Sequence, residues 1–559
     1  MRRGERRPTA GAGGGPTRPA KLGEVARIGF WRLGLMTLAG LSLMACAQPR
    51  TLADEQELIQ QDPRRQARFQ EGPPARVFLI SVAGLRPTDY LDPFGHAAAE
   101  GALVHMPALA RLAREGVTVL GATPPVPGAV RTTHATLVTG LRPAGHRIVA
   151  DATLDDEGTR ALPFTDPRLL AGTPLWDAAI GRGVVSLGWP TTRGARIERL
   201  LPESDGREQG DWLAGVRTGA SPAVWRALET IAIREREAIA AGEEDRSPDS
   251  WPTPAERDAA LVEVACELIG GDRDAGLWLI RLAQTQPLMM GAGPGSVEVD
   301  DGFAQIDTQI GRLVDCLEQS GKLAESAILV TGDVAYAPVH TTVSPNVALV
   351  KAGLIGRDPR AATGVRSWLA LARSHGASAF VFARDAANAL DARQILALES
   401  ERTGAFQIVP AQRLAEQGAD PQAWFGLAAR PGFEIGDELV GPPLRASMLR
   451  GVPGLMAADA TIPRDGQVGF VAWGRGVRNG VRMPSLDLLD VAPTIASLLG
   501  LRLDDDVVGK PVLGILRSAL EPPPPGPKRL GGGQELDDRL RDMRSGRPFG
   551  GEGEDGGSR

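Results

Sequence analysis

The chain has 559 residues, 43% hydrophobic and 23% charged, with a formal net charge of −6. Such a length exceeds one minimal core, and such a composition excludes a collagenous, disordered or disulfide-dense chain. Aromatic residues are only 4% while Gly (69) and Pro (44) are abundant, so long connecting loops are expected, with no solenoid period visible.

Residues 1–46 read as a targeting segment. Eight Lys/Arg precede a short apolar run, Leu33 to Ala45, which ends Leu43-Met44-Ala45-Cys46. The run is too short to span a bilayer comfortably. It resembles the bacterial lipoprotein signal, after whose cleavage Cys46 becomes the lipidated N-terminus and tethers a soluble domain to a membrane surface. The expected location is the bacterial cell envelope, outside the cytoplasm. Residues 1–45 carry eight Lys/Arg against two Glu, so cleavage moves the net charge from −6 to −12, a balance that speaks against nucleic acid as a partner. Residues 47–73 read as a polar linker. Cys266 and Cys316 both fall in apolar helical patterns, which favours buried thiols and leaves one disulfide open.

From residue 74 to about 520 a single large α/β domain is expected. Short β-branched runs at Arg76–Gly84, Val117–Gly121, Val184–Pro190, Leu277–Leu282, Ser326–Gly332 and Val468–Gly474 predict buried strands. Amphipathic patterns at Met106–Glu115, Pro174–Gly183, Ala223–Ala241, Ala255–Leu268, Phe303–Leu317 and Asp487–Gly500 predict helices between them. Strands alternating with helices point to a mostly parallel sheet covered on both faces. Residues of about 355 to 455 carry shorter strand-like runs, at 378–384, 406–410 and 424–433, and read as an inserted smaller α+β lobe. The Pro/Gly-rich tail, 521–559, reads as disordered.

The stretch Ala122 to Gly140 opens as a Pro/Gly loop and runs into a Thr-rich helix stopped by Gly140. The first turn of that helix directs N–H groups forward, which suits an anion, with Arg131 and Thr132 as the candidate contacts. Together with Ser81–Pro87, Leu141–Ile148, Pro174-Leu-Trp, Trp189-Pro190, Gly293-Pro294, Thr331–Tyr336, Arg430–Phe433, Gly474-Arg-Gly-Val and Asp490-Val-Ala-Pro-Thr, it resembles the type I phosphodiesterase/nucleotide pyrophosphatase branch of the alkaline phosphatase superfamily. The likeness runs from about Ala75 to about Leu501. It implies an alkaline phosphatase-like core and a two-zinc site at the carboxyl ends of the strands, with three Asp and three His as ligands. There the metals would activate a Thr nucleophile for in-line attack on phosphorus.

Carried over position by position, that machinery is mostly gone. The nucleophile position is Val130. The ligand positions fall on Ala83, Gln286, Met290, Asp333, Val334 and, near the last strand, Ala457; only Asp333 keeps a ligand's chemistry. Val has no nucleophilic atom, and Ala, Val, Met and a neutral amide cannot offset two divalent ions held roughly 4 Å apart. No zinc or other cofactor is therefore expected. Thr132 and Thr133 are the possible substitute hydroxyls. His134 reads as a structural, hydrogen-bonded His, His340 as a loop residue, His146 at least as well as a solvated loop His, and Asp300 and Asp301 as helix N-terminal charges.

Three functions compete. The first is a membrane-tethered, catalytically inactive relative that acts as a binding or scaffold domain for an unidentified ligand or protein. The second is an active metal-dependent phosphoric ester hydrolase rebuilt on Asp333, His134 and His340. The third is a structural envelope lipoprotein. The set of losses favours the first.

Overall fold

A computed structural model describes residues 72–517 apart from 100–103, 156, 159, 205–211, 243–246, 272–274 and 457–465, together with 538 and 541. The targeting segment with Cys46, nearly all of the linker, most of the tail and Ala457 lie outside the described residues.

Seven of the core strands are β1 (Arg76–Val82), β2 (Val117–Thr123), β3 (Val184–Leu187), β4 (Arg199–Leu201), β5 (Leu277–Leu282), β6 (Ser326–Gly332) and, near the end, Val468–Gly474. The nine-stranded sheet runs Val481–Met483, β2, Val468–Gly474, β6, β1, β5, β3, β4, with Leu486–Asp487 also on β2. Strands β4, β3, β5, β1 and β6 are mutually parallel. Val468–Gly474 alone opposes its neighbours, pairing antiparallel with both β6 and β2.

All seven residues of β1 are buried. Phe78, Ile80 and Val82 face one apolar layer and Val77 and Leu79 the other, as the two-residue period of a strand requires when both faces are covered. The first layer is closed by helices α1 (Pro107–Glu115), α3 (Pro222–Ala240), α4 (Pro254–Gly270) and α6 (Val297–Gln319), the second by α2 (Val130–Thr139) and the last helix, Val491–Leu499. Thr285–Gly291 forms the short α5 between β5 and α6. Asp307 of α6 accepts the N–H groups of Ala108 and Leu109 at 2.8 Å each, supplying the first turn of α1 with the acceptors its own residues lack. Helix α2 ends at Gly140 in the left-handed conformation (φ 68°), where a Cβ would lie 2.8 Å from Val507 Cγ1. No helix among the described residues is long and apolar enough to cross a membrane.

Strand β7 (Ala337–Val343) follows β6 and pairs with Gly432–Ile435. His340, expected in a loop, therefore stands on a strand, exposed, because the alternation of β7 turns it outward. The inserted lobe is built on β8 (Ala370–Ser374), β9 (Ser378–Ala383), β10 (Phe406–Pro410) and β11 (Phe425–Ala429), an antiparallel sheet in the order β8-β9-β11-β10. Helix α7 (Ala386–Thr403) covers it through Ala392 and Leu396, against Val381, Phe406 and Leu427.

Cys266 of α4 and Cys316 of α6 form a disulfide across a sequence separation of 50, so the expectation of buried thiols gives way. Each helix turns its Cys to the other at the rim of their packed faces, a juxtaposition that apolar spacing on either helix alone does not encode. Cys316→Ser is expected to destabilise the chain by about 2–4 kcal/mol, since a crosslink closing a loop of this size restricts the unfolded ensemble. Equilibrium denaturation with and without reductant checks this, and an unchanged midpoint would refute it.

Candidate functional site

The parallel strands deliver polar residues to their carboxyl ends in one row. Register places Arg281 of β5, Ser81 of β1 and Thr331 of β6 abreast, and Ala83 and Asp333 continue the chain just beyond. This end of a parallel sheet is where open α/β folds place their sites.

Asp333 is fully buried. Its Oδ1 accepts the backbone N–H of Gly84 at 3.0 Å and of Val334 at 2.6 Å. Its Oδ2 has no hydrogen-bond partner among the described residues and faces Arg281 Nη2 at 3.6 Å. The same Nη2 donates to Gln286 Oε1 at 2.7 Å. Gln286, at a position where the resemblance implies a metal-ligand Asp, thus anchors a guanidinium instead. Burial raises the Asp333 carboxyl above its ordinary range, and Arg281 opposes that shift.

Apolar groups hold the remaining positions. Ala83 and Val334 are fully buried, and Val130 is 8% exposed. A Cβ on Gly84 would meet Met289 Cε at 2.7 Å and Tyr336 Cδ2 at 3.1 Å, so both side chains lie directly over the turn after β1. Met289 closes this point; Met290, the position matched to a ligand, gives its carbonyl to the N–H of Arg450. Thr132 and Thr133 are fully buried, their hydroxyls without partners among the described residues, as is the Tyr336 hydroxyl.

His134 Nδ1 lies 2.7 Å from the Val130 carbonyl and Nε2 2.9 Å from Ser81 Oγ. The carbonyl only accepts, so Nδ1 carries the proton and the Ser81 hydroxyl donates to Nε2. The ring also packs edge-on against Trp189, centroids 4.7 Å apart. His134 is therefore structural, as its motif suggested. Burial, reinforced by Arg281, pushes it well below the usual imidazole range.

Three expectations change. His146 is fully buried, not solvated: its Nδ1 accepts the N–H of Ile148 at 3.1 Å, and its Nε2 pairs with Thr136 Oγ1 at 2.9 Å. Arg131 does not await an anion, because its Nε and Nη2 bind the two carboxylate oxygens of Glu203 at 3.0 and 3.1 Å; its backbone N–H is also taken, by Asp151 Oδ1 at 2.7 Å. His340 lies next to Phe433, with Nδ1 2.8 Å from Thr341 Oγ1, and so does not join His134 and Asp333. Asp300 lies in the first turn of α6, as expected, and also approaches Arg86 at 3.5 Å.

Two zinc ions do not fit these residues. Among the described residues no group of three or more His, Cys, Asp or Glu is placed to hold a metal. The lone carboxylate, moreover, already faces a fixed cation. Arg281 itself went unnoticed in the sequence; its signal was a single charge inside the otherwise apolar run Leu277–Leu282.

Fold and site define an α/β protein with an alkaline phosphatase-like core. Residues 77–413 match the family described as type I phosphodiesterase/nucleotide pyrophosphatase, and the chain belongs to it. Among solved structures it is similar to human ectonucleotide pyrophosphatase/phosphodiesterase 5, at 16% identity and TM-score 0.52, covering 76% of this chain and 95% of that one. The murine protein of the same name gives TM-score 0.51 at the same identity and coverage, and its inactive substituted variant in complex with AMP gives 0.50. At that identity the likeness is one of fold. No curated protein matches the sequence.

Arg281→Met should leave Asp333 buried without its cation and cost roughly 3–5 kcal/mol, with part recovered in Arg281→Met/Asp333→Asn; denaturant unfolding of the three proteins checks the coupling. His146 is pushed down to about 3 by burial. The unfolded chain then takes up a proton below pH about 6.5 that the folded chain refuses, so this group's stabilisation is complete above that pH and is lost as pH falls towards 3. His146→Gln should lower the stability at pH 7 and flatten its pH dependence between pH 6.5 and 3, as read from unfolding midpoints.

Proposed function

We propose that this chain is a non-hydrolytic member of its family, exported and held at a bacterial envelope surface by lipid on Cys46, where it acts as a binding or scaffold domain. The observation that carries the reading is the Arg281 guanidinium 3.6 Å from Asp333. A fixed cation supplies the counter-charge that a metal would otherwise provide, yet it offers no vacant coordination position and no activated oxygen. Val130 provides no nucleophile, the hydroxyls of Thr132 and Thr133 have no hydrogen-bond partner among the described residues, and His134 accepts from Ser81. The Cys266–Cys316 disulfide supports export, because such bonds persist in oxidising compartments.

A hydrolase rebuilt on Asp333, His134 and His340 would require those groups to converge on one point. His134 is committed to Ser81 and the Val130 carbonyl, and His340 is exposed on β7. The expected result is hydrolysis of a generic phosphodiester at the buffer rate, with or without added zinc, and identical for Thr132→Ala/Thr133→Ala. Metal analysis of the purified protein should find no stoichiometric zinc. Zinc near two equivalents together with turnover above that variant would overturn the reading. Intact mass of the membrane-extracted protein should place a lipidated Cys46 at the N-terminus.

A further inference from the structure

Met289, Tyr336 and Val130 are buried, and a cavity lies elsewhere in the fold. It lies between the hairpin formed by Ala152–Leu154 and Ala161–Pro163 and the sheet of the inserted lobe, with a volume of about 240 Å³. None of the six ligand positions implied by the resemblance, nor Val130, contributes to its walls.

Its apolar walls are Val149 and Leu154 from the core side and Trp368, Leu371, Phe380 and Phe382 from the lobe. The lobe side is held rigid. His375 packs edge-on against Phe380, centroids 4.9 Å apart, and the Arg384 guanidinium lies over the Trp368 ring at 3.8 Å. The hairpin is fastened to the lobe by the Thr363 hydroxyl, which donates to the Gly158 carbonyl at 2.6 Å. A site assembled from packed aromatic rings on sheet strands is preformed, which spares a ligand the entropy of ordering it.

Two properties select the ligand. The lining includes two carboxylates, Asp155 and Asp420, and two guanidiniums, Arg373 and Arg384; Arg373 is moreover bound to Asp437 at 2.8 Å. With Asp437 counted the carboxylates outnumber the guanidiniums by one, which disfavours an anion, and a neutral ligand brings no charge to be desolvated. The second property is a buried hydrogen-bonding atom, His375 Nε2, which has no partner among the described residues. A buried polar atom left unmatched costs about 1–3 kcal/mol, and a ligand group that meets it recovers part of that cost.

We propose that this cavity is a binding site for a small neutral heteroaromatic compound, one or two rings in size, with its ring against Phe380, Phe382 and Leu371 and a polar edge on His375 Nε2. The volume, below the roughly 300–1,000 Å³ of drug-sized sites, sets the ring count. Burial pushes His375 down to about 3, so the imidazole stays neutral at physiological pH and exchanges a hydrogen bond, not a charge, with its ligand. The proposal rests on the reading of the chain as a binding domain and locates the binding away from the phosphodiesterase cleft.

Ligand-observed NMR on the full-length protein tests it, with indole, adenine and uracil as neutral rings and inorganic phosphate and AMP as anions; the AMP arm also probes the old cleft, since a murine neighbour is described with it. At least one neutral ring should show saturable binding. Ala383→Trp, which fills the cavity from the half-buried end of β9, should abolish it. His375→Phe keeps an aromatic ring on Phe380 and should weaken adenine or uracil by about five- to tenfold. Thermal unfolding confirms that each variant is folded; if Ala383→Trp is not, Ala152→Phe on the opposite wall takes its place. The site is refuted if no neutral ring binds, if only the anions bind, or if ring binding survives a folded wall-filling variant. Hydrolysis measured on the same samples reports on the non-hydrolytic reading separately.

Discussion

The pairing of Arg281 with Asp333 is the constraint around which the carboxyl end of the sheet is arranged. A carboxylate taken out of water without compensation is unstable, and burial alone pushes its proton affinity up. In this chain two backbone N–H groups bind one oxygen and a guanidinium faces the other. Gln286 then holds the guanidinium by its remaining edge. Beside that charge pair Met289 and Tyr336 pack over the turn after β1, where Ala83 and Val334 are fully buried.

A buried acid needs a partner, and that of Asp333 comes from β5, which lies beyond β1 in the sheet, where register sets Arg281 beside Ser81. The same row explains His134: with Ser81 donating to it and the Val130 carbonyl accepting from it, the imidazole knits α2 to β1. The polar row thus serves cohesion of sheet and helix.

Much of the fold was legible from periodicity. Core strands at 277–282, 326–332 and 468–474 fall where their apolar runs end, because a strand buried on both faces must be apolar throughout and stops at Gly or polar residues. The helix over Val130–Thr139 stops at Gly140 for an equally local reason. What escaped were features whose partners lie far along the chain. His146 looks like a loop residue until the Thr136 hydroxyl and Ile148 N–H are folded around it. Arg131 looks ready for an anion until Glu203 arrives from 72 residues away. Cys266 and Cys316 each sit in an apolar helical pattern, and only the packing of α4 on α6 makes them neighbours.

The sequence by itself determined which side chains stand at the positions matched to the family's site. A valine carries no oxygen, nitrogen or sulfur nucleophile in any conformation, so that much about residue 130 is decided before folding. It also determined the parallel α/β core, since periodic burial is a local property of the chain. The tertiary structure decided what surrounds those positions: that a guanidinium from the strand beyond β1 faces Asp333, that Met289 and Tyr336 pack over the turn after β1, and that an aromatic cavity opens where hairpin and lobe meet. Those depend on which surfaces pack together, and distance in space is not written in spacing along the chain.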